Sequence, residues 1–230
     1  MRGRGVCALA VVAALAAVGC LDRNAVPLVE VPPTAPSGEW LAVVISGDGG
    51  WAETDAALAA ALLRHDIPTV GLNSLRYFWF ERTPAEASTV LRRMLDDMLA
   101  KWKRQRAVVI GFSRGANTAP FMVDGLPQEL KRRVGLVALL SPTVETDFEF
   151  HLRDWFSSRA HPDSIPVAPA VEKLRPIPTL CVYGLDDDYA LCPHLPPSAT
   201  EALGLPGGHH FGGATDRVVK KILAMLGKVC

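Results

Sequence analysis

The sequence predicts an α/β domain with a mostly parallel sheet of about six strands and helices on both faces. Short apolar runs alternate with longer segments of helical composition, as in parallel strands joined by crossover helices. The apolar runs are continuous, which is typical of strands buried on both faces. Hydrophobic residues make up 49% of the 230-residue chain. That share is enough to build a sizeable core.

The elements follow one another along the chain in a regular order. The predicted strands are 40–46, 68–72, 107–112, 134–140, 179–183 and 200–205. A helix rich in Ala and Leu is predicted at 52–65, and Pro84 opens a second helix to about residue 103, since proline is tolerated at the first helical turn. A third helix follows Ser113, and 216–226 closes the domain. The longest irregular stretch, 141–174, is interpreted as an insertion over the site.

The N-terminus has the composition of a targeting segment. Arg2 and Arg4 precede a short run of small apolar residues, as in an export signal. The small residues before Cys20 resemble a bacterial lipobox, which predicts a signal peptide over 1–19 and a lipid on Cys20. An ordinary signal peptide cut nearby is the alternative. Residues 20–38 are rich in proline and are predicted to be an extended tether, followed by the folded domain 39–230. The predicted location is the periplasm, anchored to a membrane.

The charges exclude one class of partner. The chain has 24 Lys and Arg residues against 24 Asp and Glu residues. This balance argues against a nucleic-acid binder. Neither H-E-x-x-H nor C-x-x-C spacing is present, so no metal or cofactor is predicted. The protein is assumed to be a monomer.

A candidate nucleophile lies between the third strand and the next helix. Gly111, Ser113 and Gly115 form a G-x-S-x-G motif there. A sharp turn from strand to helix exposes such a serine above the sheet. The alternative is a glycine-rich turn in which Ser113 only caps the helix.

The partners of this serine are expected after later strands, in the order acid and then histidine. The strand 179–183 is followed by Asp186, Asp187 and Asp188. The usual spacing from the glycine at the strand end favours Asp187, with Asp186 as second choice. His209 follows two glycines and is the candidate base, with His210 as the alternative.

An oxyanion hole would complete this machinery. One donor is expected to be the backbone N–H of Arg114, the residue after the nucleophile. The other is expected in the turn after the first strand, at Gly47 or Asp48. The Asp48 side chain, or a spare aspartate after the fifth strand, would hold a cationic substrate group. The alternative is that Asp48 only tightens the turn.

The cysteines divide by position. Cys181 and Cys192 lie close in sequence near the acid loop and, in an oxidising compartment, are expected to form a disulfide. Cys230 is left over at the C-terminus.

Two sets of side chains near the proposed site suggest substrate contacts. An aromatic groove for an acyl or glycerol group is one interpretation, and ordinary core packing is the other. The aromatic residues are Trp51, Tyr77, Phe78, Trp79 and Phe80. Arginine suits bidentate phosphate contacts, although each arginine alone is more typical of a surface charge. These arginines are Arg76, Arg82 and Arg114.

Four motifs together resemble the bacterial virulence proteins VirJ and AcvB. They are SGDGGW at 46–51, LRYFW at 75–79, GFSRGAN at 111–117 and LPGGHHF at 205–211. The resemblance runs from about residue 39 to the C-terminus, and the paired cysteines fit it. Arg114 stands where an aromatic residue is more usual, and the lipobox is a second departure. The resemblance implies an α/β-hydrolase fold, a periplasmic location, hydrolysis of aminoacyl-phosphatidylglycerol, typically the lysyl form, and links to type IV secretion.

The sequence thus predicts a periplasmic serine esterase with Ser113, Asp187 and His209 as its triad. A membrane phospholipid is the expected substrate and type IV secretion components are possible partners. A generic carboxylesterase or dienelactone-type hydrolase is one alternative. A non-catalytic periplasmic adaptor for exported proteins is the other.

Overall fold

Seven strands form one sheet in the part of the chain that the computed structural model describes, residues 23–149 and 164–227. The predicted signal peptide, Cys20 and Cys230 lie outside these residues. The strands are β1 (Leu28–Val31), β2 (Gly38–Ile45), β3 (Thr69–Leu72), β4 (Arg104–Phe112), β5 (Val134–Leu140), β8 (Thr179–Gly184) and β9 (Glu201–Leu205), with a separate antiparallel pair of β6 (Glu145–Thr146) and β7 (Ile165–Pro166). The order across the sheet is β1-β3-β2-β4-β5-β8-β9. All neighbours run parallel except β1 and β3.

Helices cover both faces of this sheet. They are α1 (Glu53–Leu63), α2 (Ser74–Tyr77), α3 (Pro84–Lys101), α4 (Arg114–Asp124), α5 (Gln128–Arg133), α6 (Ala168–Glu172) and α7 (Thr215–Met225). One core packs α3, α4 and α6 against the sheet, and a second packs α1 and α7 against the opposite face. The predicted fold class is confirmed, because continuous apolar strands such as β2 are buried on both sides.

The start of α3 shows how sequence sets an element boundary. Thr83 is the N-cap, and its Oγ1 accepts a hydrogen bond from the Glu86 backbone N–H at 3.1 Å. The Glu86 carboxylate accepts one from the Thr83 N–H at 2.8 Å. This capping box satisfies two helix-end donors, and Pro84 occupies the first turn without losing a hydrogen bond.

The first strand corrects the predicted tether. Residues 28–31 do not extend freely but pair with β3, with Leu28 opposite Leu72 and Val31 opposite Thr69. The segment alternates exposed and half-buried residues, as an edge strand does. Leu72 ends β3, at the edge where the parallel strands finish, here called the carboxyl edge. The chain therefore enters the sheet at the carboxyl edge. The residues just before β1 also contact the domain, because Arg82 donates to the Arg23 carbonyl oxygen and Val26 packs against the core, so only residues before Arg23 remain for a tether.

The predicted insertion 141–174 contains β6, β7 and α6, and its residues 150–163 lie outside the described part. Every helix within the described residues is too short or too polar to cross a bilayer.

Asp55 is a charged residue inside the fold. It lies in the first turn of α1, is 2% exposed, and accepts a hydrogen bond from the Ala52 N–H at 3.0 Å. Its other carboxylate oxygen is buried without a hydrogen-bond partner. Burial raises the pKa of Asp55 to about 6, although the backbone hydrogen bonds partly oppose this.

This raised pKa predicts that Asp55 makes stability depend on pH. Between about pH 4 and 6 the unfolded chain has released this proton while the folded protein still holds it. The free energy of unfolding therefore falls by up to about 3 kcal/mol as the pH rises. Urea unfolding of wild type and Asp55→Asn at several pH values checks this. As the pH rises from about 4 to 6, the free energy of unfolding of Asp55→Asn should increase relative to that of the wild type. The exposed Glu53→Gln serves as the matched control, and a constant difference would contradict the assignment.

Candidate active site

The candidate nucleophile lies on a strained turn at the carboxyl edge. Ser113 directly follows β4 and precedes α4, with φ 53° and ψ −117°. A non-glycine residue at positive φ costs about 1–3 kcal/mol and is held only by well-fixed surroundings. A Cβ on Gly115 would lie 2.0 Å from the Ile45 carbonyl oxygen, and one on Gly111 would lie 2.2 Å from the Gly115 oxygen. Both motif glycines are therefore required for this close packing.

The structure brings the three predicted triad side chains together. His209 Nε2 lies 2.9 Å from Ser113 Oγ, and His209 Nδ1 lies 2.9 Å from Asp187 Oδ2. The Asp187 side chain is 5% exposed, whereas that of His209 is 35% exposed. The second Asp187 oxygen accepts a hydrogen bond from the Tyr189 N–H at 3.1 Å. The acid is thus buried and fixed, and the histidine opens to solvent where a substrate would enter.

The alternatives for acid and base are placed elsewhere. Asp186 and Asp188 are exposed, and His210 is exposed beside Phe112, with ring centroids 5.3 Å apart. The structure thus favours the first choices, Asp187 and His209.

The histidine loop is held by backbone contacts across the carboxyl edge. A Cβ on Gly184 would lie 2.0 Å from the Gly208 carbonyl oxygen, so only glycine allows the acid and histidine loops to pack this closely. Ser141, which follows β5, donates a hydrogen bond from Oγ to the His209 carbonyl oxygen at 2.5 Å. These contacts fix the backbone of His209 beside the serine.

The predicted disulfide between Cys181 and Cys192 is confirmed. The two Cα atoms are 5.6 Å apart, and both residues are buried. Cys181 lies on β8 and Cys192 begins a short 3-10 helix after the acid loop. The bridge therefore joins the two ends of the segment that carries Asp187.

We expect the double variant Cys181→Ala/Cys192→Ala to lose about 3 kcal/mol of stability, because the bridge constrains a loop of about a dozen residues in the unfolded chain. Thermal unfolding with and without reductant checks this. Reductant should lower the Tm of the wild type and leave that of the variant unchanged. The same Tm for oxidised wild type and variant would refute a stabilising role.

The structure places both predicted oxyanion-hole segments beside the nucleophile. A Cβ on Gly47 would lie 3.2 Å from the Ser113 Cβ, so the turn after β2 touches the serine. Arg114 is the first residue of α4, where backbone N–H groups have no partner inside the helix. Which amide of Gly47 and Asp48 would donate stays a prediction.

The Arg114 side chain forms a buried ion cluster next to this turn. Its guanidinium pairs with Asp48 and Asp147 and donates to the Glu149 carbonyl oxygen at 2.9 Å. Burial alone would lower the pKa of Arg114, but the two carboxylates outweigh burial and raise it. Arg114 is therefore not available to a lipid phosphate, and Asp48 is not an isolated anion. We call Asp48, Arg114 and Asp147 the acidic cluster; Asp48 is its most exposed member.

The predicted aromatic groove is largely wrong. Tyr77 and Phe78 are 3% and 0% exposed and belong to the core under α3. Their rings pack edge to face, and Phe78 also packs against Phe148. The Trp51 ring lies over Gly71 of β3 and packs against the opposite core. Only Trp79, at 38% exposure, presents much aromatic surface. Aromatic residues that are neighbours in sequence can belong either to a core or to a groove, so their clustering alone did not distinguish the two.

The other two arginines differ in their surroundings. Arg82 donates from Nε to the Tyr77 carbonyl oxygen at 3.2 Å and lies 4.7 Å from the centroid of the Tyr77 ring. It has a structural role. Arg76 is exposed on α2, and phosphate contact by it stays a prediction.

Sequence reasoning missed two residues that support the site. Ser141 has the same kind of position as Ser113, directly after a buried strand, and that position was the available signal. Asp147 gave no local signal, because its partner Arg114 is 33 residues away. In the described part of the chain, no group of three or more His, Cys, Asp or Glu side chains is arranged to hold a metal ion.

Several solved esterases and hydrolases have a similar structure. The esterase Est1E from Butyrivibrio proteoclasticus, with bound ferulic acid, superposes with a TM-score of 0.64 at 14% identity, covering 90% of this chain and 99% of the esterase. The Pyrococcus furiosus esterase Pf2001 gives 0.59 at 15%, covering 89% and 92%. A putative dienelactone hydrolase from Klebsiella pneumoniae gives 0.55 at 11%, covering 90% and 100%. At these identities the similarity shows the α/β-hydrolase fold.

Comparison with curated protein sequences gives no match. The family model described as bacterial virulence protein (VirJ) matches residues 39–229, which is most of the chain and includes every residue of the candidate site. The resemblance drawn from the four motifs is confirmed, and the chain belongs to the VirJ family of bacterial virulence proteins.

Proposed function

We propose that this protein is a serine ester hydrolase. The observation that carries the proposal is the continuous hydrogen-bonded chain Ser113–His209–Asp187 at the carboxyl edge. Asp187 accepts the Nδ1–H of the neutral imidazole, which leaves Nε2 free to accept the serine proton. An adaptor would have no need of this arrangement.

The reaction follows from these positions. His209 Nε2 takes the proton from Ser113 Oγ as that oxygen attacks the ester carbonyl carbon. The backbone N–H of Arg114 and one from the turn at Gly47 stabilise the developing oxyanion. His209 then gives the proton to the leaving alcohol oxygen, and the acyl group remains on Ser113. Water, activated by His209, releases the acid and restores the serine.

The substrate within this proposal is the aminoacyl ester of an aminoacyl-phosphatidylglycerol, of the lysyl type. Membership of the family supports it. The acidic cluster also supports it, because Asp48 follows the turn residue Gly47 that lies next to the nucleophile, and Asp48 keeps 40% of its side chain exposed. A carboxylate there favours an acyl group that bears an ammonium, through charge-assisted hydrogen bonds.

A lipid-facing rim supports the same substrate. Val144, Leu185 and Tyr189 are 51%, 62% and 66% exposed, and we call them the apolar rim. They follow β5 and β8, so they lie around the acid loop. An antiparallel bridge between Thr143 and Ala190 brings Val144 and Tyr189 close together. Tyrosine beside aliphatic side chains suits the boundary between lipid and water.

This proposal includes a periplasmic location and a lipid on Cys20. It also includes type IV secretion components as partners. An anchored enzyme would meet its substrate at the membrane surface. A generic carboxylesterase is the second candidate, and the similarity of the fold to esterases favours it.

The test is release of lysine from vesicles that contain lysyl-phosphatidylglycerol, with a neutral p-nitrophenyl ester assayed in parallel. Wild type should cleave both. Asp48→Asn keeps a hydrogen-bond acceptor for Arg114 but removes a charge, so KM should rise about tenfold for the lysyl lipid and little for the neutral ester.

The two substrates separate the candidates. Cleavage of the neutral ester without lysine release would indicate a generic carboxylesterase. Absence of both activities would indicate an adaptor. Equal effects of Asp48→Asn on both substrates would indicate that Asp48 only shapes the turn.

A further inference from the structure

A cavity lies at the edge of the sheet opposite the candidate catalytic site. Its volume is about 580 Å³. The walls come from the end of α4, from α5, from the first residues of β5 and from the segment before β8. These parallel strands begin here, so the cavity is separated from Ser113 by the length of the sheet. Its size suits a small organic ligand.

The cavity has a strong positive charge. Five cationic side chains line it, against a single carboxylate, Asp124. The cations are Arg106, Lys131, Arg132, Lys173 and Arg175. The whole chain has no net formal charge, so this is a local concentration of one sign. Such a concave cationic surface draws anions to it.

Three of these cations are already held in place. Arg106 lies 4.4 Å from the centroid of the Trp40 ring and 3.6 Å from Glu39. Lys131 pairs with Asp124 at 3.2 Å, and Arg175 donates to Ser198 Oγ at 2.5 Å. Side chains that are fixed beforehand lose less conformational entropy when a ligand binds.

The other two cations, Arg132 and Lys173, have no ion-pair partner among residues 23–149 and 164–227. They line the cavity from α5 and from the segment after α6. Apolar side chains, Val123, Leu174 and Ile177, complete the wall. The cavity therefore combines charges that lack a counter-ion with a surface that suits an apolar body.

We propose that this basic cavity binds a phosphate ester whose organic part lies against the apolar wall. Arginine guanidinium groups match phosphate oxygens in pairs, and lysine adds a point charge. A free organic phosphate and a phospholipid headgroup share this chemistry. The site is independent of the ester hydrolase proposed for the other edge.

The experiment measures binding of phenyl phosphate and inorganic phosphate to the purified protein by calorimetry at fixed ionic strength. Phenyl phosphate should bind one to one and more tightly than inorganic phosphate. Arg132→Ala/Lys173→Ala should weaken it by about tenfold or more, since each substitution removes a charged hydrogen bond. The matched control, Arg217→Ala/Lys220→Ala, removes the same two residue types from exposed positions on α7 and should have no effect.

Vesicles of phosphatidylglycerol then distinguish the sources. Displacement of phenyl phosphate by vesicles assigns a lipid headgroup, and no displacement assigns a soluble phosphate. Failure of phenyl phosphate to saturate, or equal weakening in both double variants, would overturn the proposal. Neither readout uses Ser113, so the result is separate from the fate of the proposed hydrolase.

Discussion

Ser113→Ala is expected to lower kcat for ester hydrolysis by about 10⁴-fold to 10⁶-fold while leaving the fold intact. Ser113 Oγ lies 2.9 Å from His209 Nε2, and alanine removes this oxygen while keeping the rest of the residue. The measurement is the steady-state rate on a p-nitrophenyl ester, with the Tm recorded for each protein.

The control for this variant is Ser37→Ala, which removes a hydroxyl from an exposed serine far along the chain from the site. It should keep full activity. Activity close to wild type in pure Ser113→Ala would reject Ser113 as the nucleophile.

Asp187→Asn is expected to lower kcat by about 10⁴-fold. The carboxylate accepts the Nδ1–H of His209 at 2.9 Å, and an amide that donates there instead would hold the imidazole in the tautomer that cannot accept the serine proton. The pH-dependence of kcat should be recorded as well. A fall in kcat caused by the wrong imidazole tautomer changes the pH profile, whereas a fall caused by poorer packing leaves the profile unchanged.

Asp186→Asn is the matched control, because Asp186 adjoins Asp187 but its side chain is exposed. On the neutral ester its kcat should stay within a few-fold of wild type. A larger loss in Asp186→Asn than in Asp187→Asn would transfer the role of the acid to Asp186.

The parts of the site that could be predicted are those that local sequence specifies. A buried strand followed by G-x-S-x-G dictates where Ser113 lies, and the chain-order rule narrows the acid and the base to adjacent residues. Spacing from the strand-end glycine and the paired glycines already favoured Asp187 over Asp186 and His209 over His210, and the geometry agrees with both choices. Neighbouring residues in a loop point in different directions, which composition does not reveal.

The parts that could not be predicted depend on contacts between distant segments. Tyr77 and Phe78 lie in a cluster of aromatic residues that suggested a groove, but α3 and Phe148 bury them. Arg114 meets Asp48 and Asp147 only after β2, α4 and the segment around β6 have assembled. The cations of the basic cavity come from three separate segments, so the balanced charge of the whole chain gave no sign of them.

The direction of β1 has a consequence for the proposed anchor at Cys20. Because β1 is antiparallel and Leu28 lies opposite Leu72, the preceding chain leaves the domain at the carboxyl edge, on the side of the catalytic serine. Residues 23–27, just before β1, already contact the domain, because the Arg23 carbonyl oxygen accepts a hydrogen bond from Arg82 and the Pro27 carbonyl oxygen accepts one from the Asn73 N–H. Only residues 20–22 then remain between the anchor point and this docked segment, and at about 3.1 Å per extended residue they would span about 9 Å. A lipid on Cys20 would hold the catalytic mouth towards the bilayer at this short range. The effective concentration of lipid headgroups at the mouth would then be set by the tether rather than by diffusion from bulk solution.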